Sequence, residues 1–372
     1  MSVLLKEIIS YMESYAPIAL AEKWDNPGLL VGSPNQDIKS VMTVLDVTAE
    51  NVAYAVSHDI DLIISHHPVI FKGLKSLRTD RYEGWLMQEL LINHIAVYSA
   101  HTNLDVADGG VNDVLAERLG LKHVRGLAET GQDNLYKLVV YVPEDHAVAV
   151  KKALGDAGAG YIGHYSHCMY STTGTGQFKP LTGTHPYIGA VGQLERLTEV
   201  RIETIVPAEK LAKVLTAMLA VHPYEEVAYD LYKLANEGKK HYLGRMGELP
   251  ELVNAMVALK VIKKAIGAVT VKVSGNLNRS VRTIALCGGA GAEFMVLAKE
   301  KGADLYITGD VKYHEGQLAE QIGLLVVDGG HFSTEIAITE TLRQRLKTVS
   351  KERQWELTIC ADPTAKDIFV YI

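Results

Sequence analysis

The fold is decided by the stretch DLIISHHP, which occupies residues 61–68. Its first five residues form a mostly apolar run of the kind that makes a buried parallel strand. Two histidines and a proline follow directly, so the predicted strand ends at a pair of imidazoles. Because open α/β sheets bind ligands at the carboxyl ends of their strands, His66 and His67 mark a candidate site. Taken alone, the pair is equally compatible with a surface loop.

Strands and helices alternate on both sides of that stretch. Apolar runs at 40–48 and 94–100 predict strands, and helical spacing predicts helices at 49–57, 82–92 and 110–119. This β-α-β-α-β-α order predicts a parallel sheet with right-handed crossovers.

The pattern changes near residue 129 and returns near residue 244. Between them, strands at 135–142, 198–206 and 226–234, helices at 145–157 and 208–221, and a stretch rich in Gly, Ser, Thr and His at 157–186 predict a ferredoxin-like domain. After it, the predicted elements are strands at 270–274, 283–287, 305–308, 324–328 and 357–361 and helices at 292–301, 315–321 and 333–347. The sequence therefore predicts a split α/β domain with mostly parallel sheets, formed by residues 1–128 and 239–372 and interrupted by an inserted α+β ferredoxin-like domain at 129–238.

Composition limits the classes of partner. The chain has 372 residues with 37 Lys and Arg against 44 Asp and Glu, so its net charge is −7. This balance argues against a nucleic-acid partner or an anionic membrane surface. The longest charge-free stretch, 157–178, is polar and rich in glycine, and the N-terminus lacks a basic segment before an apolar run, so we expect neither a membrane span nor a signal peptide. Three cysteines without a CxxC pair argue against disulfides and thiolate zinc sites, and we expect a cytoplasmic protein.

Two further polar segments follow predicted strands. SAHTNLD, residues 99–105, contains His101 and Asp105, and the aspartate is either a helix cap or a member of the site. VDGGHFSTE, residues 327–335, places His331 and Glu335 four positions apart, on one face of a helix. Taken alone, the second segment is a capping segment whose glutamate is favoured by the helix dipole.

Together the three segments predict a metal centre without thiolates. The candidate ligands are His66, His67, Asp105, His331 and Glu335. Three histidines and two carboxylates suit Zn, Fe, Mn, Co or Ni. Five ligands exceed what one closed tetrahedral site needs, and a bridging carboxylate would let them bind two ions. We therefore predict two divalent metal ions per subunit, with zinc as the first choice.

Five stretches resemble a known family, the NGG-interacting-factor-three-like proteins, also described as GTP cyclohydrolase type-two homologues. The stretches are WDNPGL at 24–29, SHHP at 65–68, HTNLD at 101–105, TGD at 308–310 with YH at 313–314, and GGH at 329–331 with STE at 333–335. The resemblance covers essentially the whole chain and implies a dinuclear centre held by the five ligands named above. It also implies a homohexamer, a toroidal trimer of dimers whose metal sites face an internal cavity. The insert, with HPYEE at 222–226, resembles a nitrogen-regulator-like or CutA-like domain.

The leading functional hypothesis is a metal-dependent hydrolase that acts on a small, nucleotide-like molecule. The resemblance points to GTP cyclohydrolase-type chemistry, in which water opens the imidazole ring of the purine. His101 and His314 are the candidate catalytic residues for proton transfer. For His101 the alternative is a structural role, and for His314 it is a satisfied histidine at a helix start. The alternative is a non-catalytic metal-binding regulator, storage or delivery protein. A DNA-linked scaffold is a third hypothesis, against which the acidic balance weighs.

Two other features have a functional and a structural interpretation. Residues 288–291, GGAG, resemble a phosphate-cradling turn, but a tight strand-to-helix connection is the favoured interpretation. The histidines of the insert, His164, His167, His185 and His222, have irregular spacing, and we interpret them as scattered loop residues rather than a second metal site.

Overall fold

The computed structural model describes residues 3–370. The chain divides into two compact units, one formed by residues 1–130 together with 241–372 and the other by residues 131–240. The sequence places the insert at 129–238, two residues earlier at each end. The larger unit carries every candidate metal ligand, so its two sheets position the site.

The first part of the larger unit alternates strands and helices. In chain order the elements are β1 (Val3–Leu4), α1 (Leu5–Tyr15), β2 (Gly28–Val31), β3 (Asp37–Ile38), β4 (Ser40–Val44), α2 (Ala49–Ser57), β5 (Leu62–Ser65), α3 (Tyr82–Ile92), β6 (Ala96–Ser99), α4 (Thr102–Val106), α5 (Val111–Arg118) and β7 (Lys122–Gln132). Local signals set some of these bounds. Thr48 caps α2 by accepting a hydrogen bond from the backbone N–H of Asn51, whose side chain accepts one from the backbone of Thr48 in return.

The smaller unit contains β8 (Leu135–Pro143), α6 (Ala147–Ala157), β9 (Met169–Phe178), β10 (Glu195–Pro207), α7 (Leu211–Val221) and β11 (Tyr229–Lys233). Its strands form one antiparallel sheet in the order β11-β8-β10-β9. Alternate residues of β8, namely Leu138, Val140 and Val142, are fully buried and pack against the apolar faces of α6 and α7. The result is a βαββαβ unit with both helices on one face of the sheet.

The chain then completes the larger unit. The elements are β12 (Lys240–Asn254), α8 (Ala255–Ile266), β13 (Lys272–Ser274), β14 (Ser280–Ala290), α9 (Met295–Glu300), β15 (Leu305–Gly309), α10 (Tyr313–Gln321), β16 (Leu325–Asp328), α11 (His331–Glu335), α12 (Ala337–Glu352) and β17 (Thr358–Ala361). Within residues 3–370 no helix combines the length and apolar character that crossing a bilayer requires.

The first large sheet of this unit has the strand order β17-β4-β5-β6-β2. Strands β17, β4, β5 and β6 are parallel, and β2 pairs antiparallel with β6 at the edge. Strands β4, β5 and β6 are buried along their whole length, which explains their continuous apolar runs. One apolar core with α1 and α12 covers one face, and a second core with α2 and α3 covers the other.

The second large sheet has the order β13-β16-β15-β14-β12-β7. Its centre is parallel, while β12 and β13 pair antiparallel with their neighbours. Helices α5 and α8 cover one face, and α9 and α10 cover the other. The predicted α/β class is therefore confirmed, although antiparallel strands border the parallel core of each sheet.

Several elements differ from the sequence-based expectation. The structure adds α1, β7, β12 and α8, which the pattern did not reveal, and it divides the predicted final helix at Ile336. The segment 288–291 is not a strand-to-helix turn, since β14 continues through Ala290. Asp105 is not a cap, because it lies inside α4.

Candidate metal centre

Three strand ends deliver the candidate ligands to one place. His66 and His67 follow β5, and their backbone N–H groups donate to Val44 and Leu45, which extends the ladder beyond the strand. His101 follows β6 and immediately precedes α4, which carries Asp105. These residues all come from the carboxyl edge of the five-stranded sheet, as the parallel order requires.

The remaining ligands come from the six-stranded sheet. Strand β16 ends at Asp328, and Gly330 adopts a positive φ of 82° that turns the chain directly into α11. That helix begins with His331 and ends with Glu335, so both side chains lie on the same face. Within the larger unit, the site is thus built where the edges of two sheets meet.

The Glu335 carboxylate lies at the centre of the cluster and is buried. Its Oε2 is 3.0 Å from Nε2 of His67 and 3.2 Å from Nε2 of His331. Its Oε1 is 3.8 Å from Nε2 of His66, which in turn is 3.6 Å from Oδ1 of Asp105. The two oxygens of one carboxylate therefore face two different groups of ligands.

Each imidazole of the cluster is held from behind through Nδ1. His66 Nδ1 lies 2.8 Å from the carbonyl oxygen of Ala100. For the other three, the partner is a carboxylate at 2.7–2.8 Å, in the pairs His67–Asp46, His101–Asp25 and His331–Asp310. Such partners fix the ring and direct Nε2 toward the interior of the cluster, which is the usual arrangement around protein-bound metals.

Asp310 reaches His331 from an unusual backbone position. It follows β15 directly and has a positive φ of 54°, a left-handed conformation that non-glycine residues seldom adopt. Such strain persists where the surrounding structure enforces it, often at functional sites. It turns the Asp310 carboxylate toward the imidazole that begins α11.

The cluster has buried polar atoms that the protein leaves without a partner. Among the described residues, Nε2 of His66 and Oδ1 of Asp105 are buried and lack a hydrogen bond. An unpaired buried polar group is costly, so its presence calls for a ligand. A donor set of imidazoles and carboxylates around these two atoms fits a divalent transition metal ion.

The pKa shifts of the cluster residues show that its carboxylates favour positive charge on the imidazoles. Burial opposes protonation of His67, yet hydrogen bonds with Asp46 and Glu335 outweigh it and raise its pKa to about 10. The hydrogen bond with Glu335 is the largest cause that raises the pKa of His331, to about 9. Burial raises the pKa of Asp105 to about 6. The buried carboxylates thus stabilise cations among them.

Glycine forms one wall of the centre. Gly289 lies at the end of β14 with a φ of 60°, and its N–H donates to Oγ1 of Thr334. A Cβ at this position would lie 2.2 Å from Oε1 of Glu335 and 3.2 Å from Nε2 of His331. Gly289 of the GGAG segment therefore packs closely against the ligands, because no side chain fits at this position.

All five predicted ligands lie in the cluster, and His101 lies beside them. The ring centroid of His101 is 5.3 Å from that of His66 and 5.6 Å from that of His67. In the described part of the chain, the groups of residues able to hold a metal are His66–His67–His101, His67–His331–Glu335 and His66–Asp105–Glu335. Ligand atoms within each group lie within 4.8 Å of one another.

His314 does not join the cluster. Its side chain is exposed, its Nδ1 contacts Gln317 on the same helix, and its ring packs against Tyr313. The sequence-based assignment of a catalytic role to His314 therefore gains no support from its position.

Sequence reasoning also missed three residues. The sequence does not single out Asp46, and Asp25 and Asp310 enter the sequence analysis only as members of the resembling stretches 24–29 and 308–310. Asp46 and Asp310 follow strands by two residues and one residue, and Asp25 lies in the loop before β2. Such positions give no periodic signal in the sequence. Only the folded arrangement pairs each of them with an imidazole.

Comparisons with known proteins identify the family and the fold of the chain. A family model described as Duf34/NIF3 (NGG1p interacting factor 3) matches residues 3–367. A GTP cyclohydrolase 1 type 2 homolog from Halalkalibacterium halodurans is 43% identical over 365 residues, which cover 98% of each chain. The homolog of the same name from Bacillus subtilis is 42% identical over 367 residues, covering 99% of this chain and 98% of the relative.

Solved structures show the same fold. A Bacillus cereus protein related to NIF3 superposes with a TM-score of 0.92 and 43% identity, covering 100% of both chains. A Staphylococcus aureus protein superposes with a TM-score of 0.78 and 29% identity, covering 100% of this chain and 99% of the other.

Proposed function

Since the chain belongs to the Duf34/NIF3 family, we propose that it is a metal-dependent hydrolase with a dinuclear centre and a nucleotide-like substrate. One observation carries the proposal. Four imidazoles, each tied at Nδ1, converge through Nε2 on a region that contains two buried carboxylates. This pattern serves ion binding better than it serves packing, because it leaves buried polar atoms unpaired.

The residues divide into two half-sites joined by Glu335. His66 and Asp105 form one half with Oε1, while His67 and His331 form the other with Oε2. We therefore assign the bridging role to Glu335 rather than to Asp105. Two bound divalent ions would supply Lewis acidity and an activated water at neutral pH.

His101 is the residue that we assign to proton transfer. Its Nδ1 is held by Oδ1 of Asp25 at 2.8 Å, and its side chain keeps 16% exposure beside the ligands. Hydrogen bonds from His101 and Thr102 outweigh burial and lower the pKa of Asp25 to about 2, so this carboxylate stays ionised. A charged Asp25 orients the ring and holds the proton at Nδ1, which leaves Nε2 as the atom available for proton transfer.

The curated relatives carry the name GTP cyclohydrolase 1 type 2 homolog, which makes GTP the first substrate to test. The experiment incubates metal-loaded protein with GTP and measures formamidopyrimidine or pterin products by liquid chromatography. The matched control is Asp105→Ala, which removes a carboxylate of one half-site. We expect turnover by the parent protein alone; equal turnover by both proteins would exclude this mechanism.

A protein that retains both ions but turns over neither GTP nor other purine nucleotides would favour the storage or delivery alternative. Elemental analysis of freshly purified protein identifies the ion to use, with zinc as the first candidate. The proposal includes the homohexamer, which light scattering of the metal-loaded protein tests directly.

A further inference from the structure

Two exposed aromatic side chains lie at the mouth of the metal centre. Trp24 is 60% exposed and Phe71 is 44% exposed, although both are large apolar residues. Their ring centroids are 5.8 Å apart, and those of Trp24 and Phe71 lie 6.1 and 6.2 Å from that of His101. The three rings meet edge to face, so together they form an open aromatic corner beside the ligands.

The loops that carry these rings are fixed to the site. The side chain of Asp25, next to Trp24, is fully buried. It accepts hydrogen bonds from His101 and from the backbone N–H of Thr102. Asn26 donates from Nδ2 to the carbonyl oxygen of Ile70, at 2.6 Å, immediately before Phe71. The two loops are therefore tied to each other and to His101, so the corner is preorganised rather than dependent on chance side-chain positions.

The chain beyond Phe71 is basic. Four of the ten residues 72–81 are Lys or Arg, against a single acid, Asp80, which pairs with Arg78. Lys72 and Lys75 are exposed and lie within four residues of Phe71. In a chain whose net charge is −7, this local cationic segment favours an anionic ligand at the mouth of the site.

We infer that Trp24 and Phe71 form a subsite that stacks the planar heteroaromatic ring of an anionic substrate, such as a purine nucleotide, beside His101. The inference rests on the proposed function for the identity of the site, and it adds the residues that select the substrate class. Exposed aromatic rings beside a polar centre recognise flat ligands, because every nucleobase offers a π face for stacking. Lys72 and Lys75 supply the positive charge for the phosphate groups.

Tryptophan fluorescence tests the subsite separately from turnover. The three tryptophans are Trp24, Trp85 and Trp355, of which the last two pack partly buried against apolar cores. We expect GTP and ATP to quench the emission of metal-loaded protein saturably. Inorganic tripolyphosphate and ribose 5-phosphate, which lack a base, should not quench, and tripolyphosphate should compete more weakly than GTP because it engages only the cationic part of the subsite.

Variants assign the quenching to the corner. Trp24→Phe should abolish the quench while binding persists by equilibrium dialysis, and Trp24→Ala or Phe71→Ala should weaken nucleotide binding about tenfold or more. Leu77→Ala, at an exposed position of the same loop, should bind like the parent protein.

Three results would overturn the inference. They are an unchanged Kd in both alanine variants, competition by tripolyphosphate equal to that of GTP, and an absence of saturable quenching by either nucleotide up to about 1 mM. A change of oligomeric state in Trp24→Ala with unchanged nucleotide affinity would likewise overturn it and assign the corner to a subunit interface. Nucleotide binding without turnover would instead contradict the proposed hydrolase alone.

Discussion

The imidazoles of the metal cluster and two histidines of the smaller unit differ in what their Nε2 atoms face. In the larger unit, each imidazole of the cluster is bound at Nδ1 and directs Nε2 toward other ligands. In the smaller unit, His222 uses both nitrogens on the backbone: Nε2 contacts the carbonyl oxygen of Tyr141 and Nδ1 accepts from the N–H of Tyr224. His167 likewise uses both nitrogens, on Ser166 and Asp156.

The comparison shows that the number of histidines does not predict a metal site. The insert contains several, but His222 and His167 use both nitrogens on backbone or exposed side-chain groups, and within residues 3–370 no buried carboxylate contacts their Nε2. What distinguishes the cluster is an acceptor behind each ring and a buried carboxylate in front. Each prediction below tests one part of that difference.

The largest effect is expected at the shared carboxylate. Glu335→Gln keeps the shape of the side chain but removes the charge that faces both half-sites. We expect metal affinity to fall by more than about 100-fold, beyond the loss typical of residues behind the ligands. Elemental analysis after dialysis measures the bound metal, and His222→Gln in the insert is the matched control. Comparable metal loss in both variants would remove the distinction between the units.

A smaller effect is expected from the carboxylates behind the rings. Asp46→Asn and Asp310→Asn should each lower metal affinity about 10- to 100-fold, because the ring partners lose their charge. Asp145→Asn is the control, since Asp145 holds Nδ1 of His146 in the insert at 2.9 Å. Competition with a chromophoric chelator measures the affinities. Unaltered affinity in both Asp46→Asn and Asp310→Asn would show that these contacts do not support ion binding.

Asp105→Asn should change metal binding and the stability of the metal-free protein in opposite directions. The Oδ1 atom of Asp105 is buried without a hydrogen bond, and burial outweighs the attraction of His66 and raises the pKa of Asp105 to about 6, so the ionised carboxylate costs the metal-free protein free energy at neutral pH. We expect Asp105→Asn to weaken metal binding and yet to raise the free energy of unfolding of the metal-free protein by about 1 kcal/mol. Urea unfolding in the presence of EDTA measures it. A clear loss of stability would mean that Asp105 is needed for packing.

The smallest effect concerns pH and the insert. Burial lowers the pKa of His222 below its ordinary value of 6.5. The unfolded chain therefore takes up a proton more readily than the folded unit, and the stability of the insert should fall as the pH drops below about 6.5. Calorimetry of the full chain with and without His222→Gln measures this dependence. A variant with the same pH dependence as the parent would assign the acid sensitivity to other groups.

The sequence was sufficient for the parts of the fold that carry strong local signals. Strands β4, β5 and β6 are recognisable because burial on both faces requires continuous apolar runs. Strand β12 escaped because it runs across the boundary of the insert and mixes polar with apolar residues. Helix α8 escaped although its apolar face is clear, because the strand before it was missed and no boundary could be placed.

The candidate site also contains residues that the sequence predicts and residues that it does not. His66, His67 and His331 lie at strand ends, where topology alone brings residues together, and spacing on a helix adds Glu335. The residues behind the rings depend on side-chain packing between loops, which no periodicity records. The backbone strain at Asp310 and the close approach at Gly289 are of the same kind, because both follow from three-dimensional contacts.

The order of ligands along the chain has a consequence for biosynthesis. His66, His67 and Asp105 emerge from the ribosome well before the insert, whereas His331 and Glu335 emerge only after it. A nascent chain that has not passed the insert can therefore present three of the five donors but cannot complete the cluster. Ion capture would then report that both parts of the split unit have been synthesised, and chains truncated before residue 331 would lack a complete site.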